Sequence, residues 1–168
     1  MRKAIILGGN ADQVPLIQAL AGRGYRTILI DYYPDPPGRT IADVHYQVST
    51  LDVAAVCAVV EKERPEFLAS IGNDLVVPVL AEVSERYGLP CTQDHAHAMK
   101  ATNKAKMKAA FREHGIPTAP LFGKEQYTGT AKAGLPYPLI GKLLVGYGAQ
   151  GVRRLNDATE LDAYLTEY

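Results

Sequence analysis

The chain has 168 residues, 47% hydrophobic and 21% charged, with a formal net charge of zero. This is the composition of an ordinary globular protein, long enough for one domain and part of another. A zero balance excludes the strong field that draws a protein to nucleic acid or an acidic membrane, so the expected partners are small molecules.

Met1-Arg2-Lys3 leads directly into a short apolar run, Ala4-Ile5-Ile6-Leu7, closed by Gly8-Gly9-Asn10. This reads as a buried strand entering a tight turn, and no secretory leader precedes it. Residues 14–23 follow with helical spacing, Leu16, Ile17 and Leu20 on one face and Gly24 as the stop. Residues 27–30 form a second strand ending at Asp31, and Pro34, Pro36, Pro37 and Gly38 make a stiff loop. A third strand covers residues 44–48.

Asp52 is placed to cap a helix with Val56, Val59 and Val60 on its apolar face, which ends at Pro65. Residues 67–71 form a fourth strand, with Gly72-Asn73-Asp74 at its carboxyl end. A helix over 77–87 stops at Gly88, and residues 89–91 suggest a short fifth strand. Strands alternating with helices predict βαβ units, so residues 1–93 are expected to be a doubly wound, Rossmann-like α/β domain with a mostly parallel sheet.

Residues 94–114 read as two helical pieces, the second capped by Asn103 and burying Met107, Ala110 and Phe111, with Gly115-Ile116-Pro117 as its end. Residues 118–122 look extended, and residues 123–136 read as a loop. A strand over 138–142, a glycine-rich turn and a returning strand over 152–155 form a hairpin. Asp157 then caps a last helix through Leu161 and Leu165. A hairpin plus one helix encloses little core. Residues 94–168 are therefore expected to be linker helices and an incomplete α+β subdomain. Apolar surface left uncovered there would favour association, for instance as a homodimer. No apolar stretch is long enough to span a bilayer, and a cytoplasmic location is expected.

Chemistry concentrates at Pro138-Leu139-Ile140-Gly141-Lys142, followed by Gly146, Gly148 and Gly151. Such a loop can aim backbone N–H groups at phosphate oxygens, with a lysine as point charge beside it. A glycine-rich hairpin turn with a solvated lysine fits the same residues. Upstream, Lys104 and Lys108 share a helix face with Phe111 close by; a phosphate site or a solvated basic face both fit.

Together these segments resemble the ATP-grasp superfamily. The matching residues are Thr102-Asn103-Lys104, Met107-Lys108, Phe111 and Gly115-Ile116-Pro117, then Pro138, Lys142, Gly146-Tyr147-Gly148 and Gly151-Val152. Residues 1–93 resemble the domain that precedes ATP-grasp, through Ile6-Leu7-Gly8-Gly9, Gly24-Tyr25, Asp31, the loop from Pro34 to Gly38, Ala42-Asp43, Tyr46 and Gly88-Leu89-Pro90. The large-subunit type of carbamoyl phosphate synthase and similar ligases is the closest flavour. Gly141 and Leu143 depart from the family's usual hydrophobic residue before the lysine and proline after it.

The resemblance implies ATP with Mg²⁺ as cofactors, Lys104 and Lys142 on the nucleotide, and Gly146, Gly148 and Gly151 as a flap over its phosphates. It also implies a ligase that activates a carboxylate as an acyl phosphate for attack by an amine or similar nucleophile. The family's metal-binding residues would lie beyond Tyr168, so the chain alone is expected to be inactive. By the general rule for open α/β sheets, Gly8, Gly9, Asn10, Asp31, Asn73 and Asp74 would line an acceptor-substrate crevice. For these residues, strand-to-helix turns, caps and loop ends are the competing structural roles.

His45, His95, His97 and His114 show no metal-ligand spacing and read as structural or surface residues. Cys57 and Cys91 lie far apart, and Cys57 falls on an apolar helix face as a buried thiol. Two alternatives remain beside the ligase. One is a Rossmann-type dinucleotide- or small-molecule-binding module, although Gly8-Gly9-Asn10-Ala11-Asp12-Gln13 is not Gly-x-Gly-x-x-Gly. The other is a non-catalytic chain that binds a small molecule or a partner through its first domain.

Overall fold

The computed structural model describes residues 1–146 and 148–168; Tyr147 of the glycine-rich run lies outside the described residues. The chain divides into two compact units, Met1–Thr102 and Asn103–Tyr168. The first unit extends past residue 93 because the helix His95–Thr102 packs on the helix before it.

The first unit is a parallel sheet of β1 (Lys3–Leu7), β2 (Arg26–Asp31), β3 (Val44–Gln47) and β4 (Phe67–Ala69), in the order β3-β2-β1-β4. Alternation along the strands divides the core. Ile5, Leu7, Ile28 and Ile30 face one side, against Val56, Val59 and Val60 of α2 (Val53–Glu63) and Val79 and Val83 of α3 (Val77–Tyr87). Ala4, Ile6 and Leu29 face the other, against Ile17 and Leu20 of α1 (Val14–Gly22). Both sheet faces are therefore covered, as the near-continuous apolar strands require. No helix among the described residues is long and apolar enough to cross a membrane.

Asp52 caps α2 by accepting the Ala55 N–H, and Gly88 ends α3 in the left-handed region. Residues 89–91 are not a strand. The Leu89 N–H is taken by the Ser84 carbonyl at the helix end, and Pro90 has none to give a ladder. Asp94 then caps α4 (His95–Thr102), accepting the His97 N–H.

In the second unit, Asn103 caps α5 (Lys104–Glu113) through the N–H groups of Ala105 and Lys106. A one-turn helix, α6 (Lys124–Tyr127), and a 3-10 turn over Gly129–Gly134 occupy the stretch expected to be loop. β5 (Leu139–Gly141) pairs antiparallel with β6 (Arg153–Leu155). α7 (Ala158–Glu167) is capped by Asp157. Leu155, Leu161 and Tyr164 form a small core with Tyr127, Leu135, Tyr137 and Leu139 against it.

Candidate functional site

The sheet order makes the gap between β1 and β4 the point where the chain reverses its direction of travel across the sheet, the usual ligand edge of such folds. Gly8, Gly9 and Asn10 leave β1 there, and Asn73 and Asp74 follow β4. Gly8 has a φ of +96° and its Cβ position lies 3.9 Å from the Asn73 amide nitrogen, so these two predicted residues share the crevice. Asn10 and Asp74 are exposed, while Asn73 is half-buried and accepts the Leu75 N–H.

The crevice is stitched by residues that periodicity does not reveal. Gln13 is fully buried, and its side-chain amide donates to the Ile71 carbonyl while accepting the Ile71 N–H. Ser70 donates its hydroxyl to the Leu7 carbonyl at 2.8 Å. The sequence signal available for Gln13 was only a polar residue immediately before an apolar helix.

Asp31 takes the structural role that the sequence left open beside a ligand contact. It is buried, 8% exposed, and its oxygens accept the N–H groups of Gly9 at 2.6 Å and Tyr33 at 2.7 Å. Its role is to fix the turn after β1. Gly9 is likewise enclosed by protein. A Cβ there would lie 2.9 Å from Pro36 and 3.0 Å from Leu29, and the Gly38 N–H donates to the Gly9 carbonyl. Gly38 itself could carry no Cβ without meeting Ile17 at 2.7 Å. The Pro-rich loop thus roofs the turn, with Gly8 buried against Gln13 and Asn73 and Asn10 exposed.

In the second unit, Lys104 meets the residues that follow Lys142. The residues after Lys142 dock on the start of α5: the Lys104 N–H donates to the Leu144 carbonyl at 2.9 Å, and the Lys104 amine to the Gly146 carbonyl at 3.3 Å. Lys108, one turn on, is the buried residue of α5, 6% exposed, where Met107, Ala110 and Phe111 are only half-buried. Its amine finds two acceptors, the Thr118 hydroxyl at 2.9 Å and the Ala119 carbonyl at 2.6 Å, which is what permits its burial. Burial pushes the Lys108 ammonium below the ordinary lysine range, and the positive charges of Lys142 and Arg112 push the same way. Lys104, Lys108 and Phe111 stand at i, i+4 and i+7, the period of a buried face, and this was the signal in the sequence for Lys108.

No carboxylate among the described residues forms an ion pair with Lys104, Lys108 or Lys142. Lys142 is exposed. Within the glycine run, Gly148 and Gly151 take positive φ, as does Ala149 at +56°, whereas Gly146 does not. Gly141 is explained by α7: a Cβ at 141 would lie 2.9 Å from the Tyr164 ring.

A metal site is absent from this arrangement: among the described residues, no three His, Cys, Asp or Glu side chains gather at metal-binding distance. His97 pairs with Asp94 at 2.7 Å, an exposed contact at the start of α4. Cys57 is buried and Cys91 exposed, both as free thiols. Two surface depressions, one lined by Met1, Gly24, Tyr25, Arg26 and Asp43 and one by Val60, Glu61, Arg64, Pro65, Tyr87 and Leu89, include no predicted site residue.

No family model matches the chain. It is 28% identical over 170 residues to a formate-dependent phosphoribosylglycinamide formyltransferase from Bordetella avium, covering 96% of this chain and 41% of that protein. The fold matches an N5-carboxyaminoimidazole synthetase from Staphylococcus aureus complexed with ADP, with a TM-score of 0.75 at 19% identity, over 98% of this chain and 44% of that one. It also matches an L-amino acid ligase from Bacillus licheniformis, with a TM-score of 0.73 at 18% identity, over 99% and 42%. The chain thus spans about two-fifths of the length of the proteins it matches.

Proposed function

We propose, from the premise that this chain is built as the N-terminal portion of the ATP-grasp enzymes is built, that it supplies the phosphate-holding and part of the acceptor-holding side of an ATP-dependent ligase. The observation that carries this reading is the docking of the residues that follow Lys142 on the start of α5, where the Lys104 N–H meets the Leu144 carbonyl and its amine the Gly146 carbonyl, with no carboxylate among the described residues ion-paired to either lysine. A triphosphate is the complementary ligand. Lys104 and Lys142 act as point charges on its oxygens, Lys108 holds α5 and adds field from below, and Gly146, Gly148 and Gly151 let the loop close without side chains in the way. Gly8, Asn10, Asn73 and Asp74 hold part of the acceptor, with Gly9 and Asp31 fixing the turn that presents them.

The reaction class is that of the carbamoyl phosphate synthase large-subunit type. A carboxylate oxygen attacks the terminal phosphorus, ADP departs, and an amine then displaces phosphate from the acyl phosphate. Bound with the nucleotide, Mg²⁺ would offset charge on its phosphates. ATP as substrate is in keeping with a cytoplasmic setting.

A dinucleotide module fits less well. Its usual acidic residue after β2 would have to reach a ribose, but Asp31 is occupied by the Gly9 and Tyr33 N–H groups. Titration of the chain with ATP and with NAD tests the choice. ATP is expected to bind and raise the melting temperature, and Lys104→Ala and Lys142→Ala to weaken binding by about tenfold each, the size of one lost charge-assisted contact. Binding of NAD alone, or ATP binding indifferent to both substitutions, overturns the reading.

A further inference from the structure

Tyr164 touches both roots of the glycine loop. From α7 its ring lies over Gly141, the residue before Lys142, filling the space where a Cβ would stand 2.9 Å away. At the other root its hydroxyl donates to the Gly151 carbonyl at 2.8 Å. Gly141 is paired with Arg153 in the hairpin, so the ring and the ladder grip the same point of β5. The side chain is buried, 6% exposed. Phenylalanine would fill the same volume, so core packing alone does not call for the hydroxyl. Its bond runs to a loop carbonyl that no other described side chain meets.

We propose that Tyr164 is a positioning residue: it holds Gly141 and Gly151, the two roots of the glycine loop, and so sets Lys142 in one stance toward the phosphates. This deepens the nucleotide reading and rests on it for the word phosphate; the latch itself is a property of the loop. It also accounts for Gly141. An apolar residue before the lysine and a ring beneath the loop compete for one space, and here the ring occupies it.

The test uses the 168-residue chain and two readouts: thermolysin cleavage within residues 143–151, and ATP affinity by titration. In Tyr164→Phe the packing stays and the bond goes. Cleavage is expected to rise about fivefold, the equivalent of one net hydrogen bond, with ATP affinity falling by a similar factor and the circular dichroism spectrum unchanged. Tyr168→Phe, which removes the neighbouring hydroxyl, is expected to leave cleavage at the wild-type rate. Gly141→Ala is expected to displace the ring and speed cleavage although position 141 lies outside the loop, and to add less in the Tyr164→Phe background than in wild type, because the hydroxyl bond that moving the ring would break is already gone. Wild-type cleavage in Tyr164→Phe, or additive effects of the pair, overturns the latch. Should Tyr164→Phe lose its fold, Gly141→Ala decides alone, and cleavage at the wild-type rate there overturns it. Faster cleavage in a chain that never binds ATP upholds the latch and sinks the nucleotide reading instead.

Discussion

Asp31 Oδ2 accepts the Gly9 N–H at 2.6 Å, joining the carboxyl ends of two neighbouring strands at the crevice of the first unit. The bond is charge-assisted and buried, and the second oxygen holds Tyr33. Asp31→Ala strips both N–H groups of their acceptor and is expected to cost about 2–3 kcal/mol in urea denaturation. Asp31→Asn keeps one acceptor oxygen and is expected to cost less. Equal stability of the alanine variant would show that the turn after β1 stands without it.

Gln13 and Ile71 form the stitch across β1 and β4. Gln13→Leu preserves bulk but leaves the Ile71 N–H and carbonyl without their side-chain partner. The expected loss is about 1 kcal/mol, the net worth of a hydrogen bond, because Ile71 is exposed and water can take the place of the amide. Amide hydrogen exchange at Ile71 is the direct check, and it is expected to speed up in the variant.

Glu63 gives a pH dependence with a defined sign. It is buried, accepts the Tyr46 hydroxyl at 2.6 Å and the Lys3 amine at 2.9 Å, and these hold its carboxyl below the ordinary glutamate value, the tyrosine bond first. The unfolded chain therefore binds the proton more readily. The stabilisation is complete above the unfolded value and drains away as pH falls through the folded one. Glu63→Gln is expected to melt below wild type at pH 7 and to converge with it in acid. A gap that persists unchanged at pH 3 would contradict this.

Lys108 has the same sign from a different cause, since its buried ammonium is the disfavoured form and its folded value lies below 10.5. The unfolded chain again binds more protons in that window, so this residue contributes rising stability as pH approaches 10.5. Lys108→Met is expected to change stability at pH 7 by only about 1 kcal/mol, because lost hydrogen bonds offset relieved desolvation. The difference between wild type and variant is expected to shift in favour of wild type as pH rises towards 10.5. A difference constant across that range would remove Lys108 from the account.

The sheet of the first unit was legible because each apolar run ends on a residue that punctuates it: Gly8, Asp31 and the turn at Gly72. The caps at Asp52, Asn103 and Asp157 were legible for the same local reason. What escaped was non-local. The Ser84 carbonyl that takes the Leu89 N–H cannot be read from Leu89-Pro90-Cys91 alone. Nor can the acceptors at Thr118 and Ala119 that let Lys108 sink below Met107. The lysines and glycines of the second unit were visible as residue types. That Tyr164 answers the missing side chain at 141 depends on a helix that arrives later in the chain.

The packing of Gly9 beneath Pro36 and beside Gly38 has a bearing on descent as well as shape. Three positions separated in sequence share one small volume, so they cannot drift independently. A relative that acquires alanine at the first must surrender the proline or rebuild the bend, and one that lengthens the bend frees the first to vary. Substitutions at these sites are expected to be inherited as a set, which makes the trio a marker for sorting lineages that carry this roofed turn from those that leave it open.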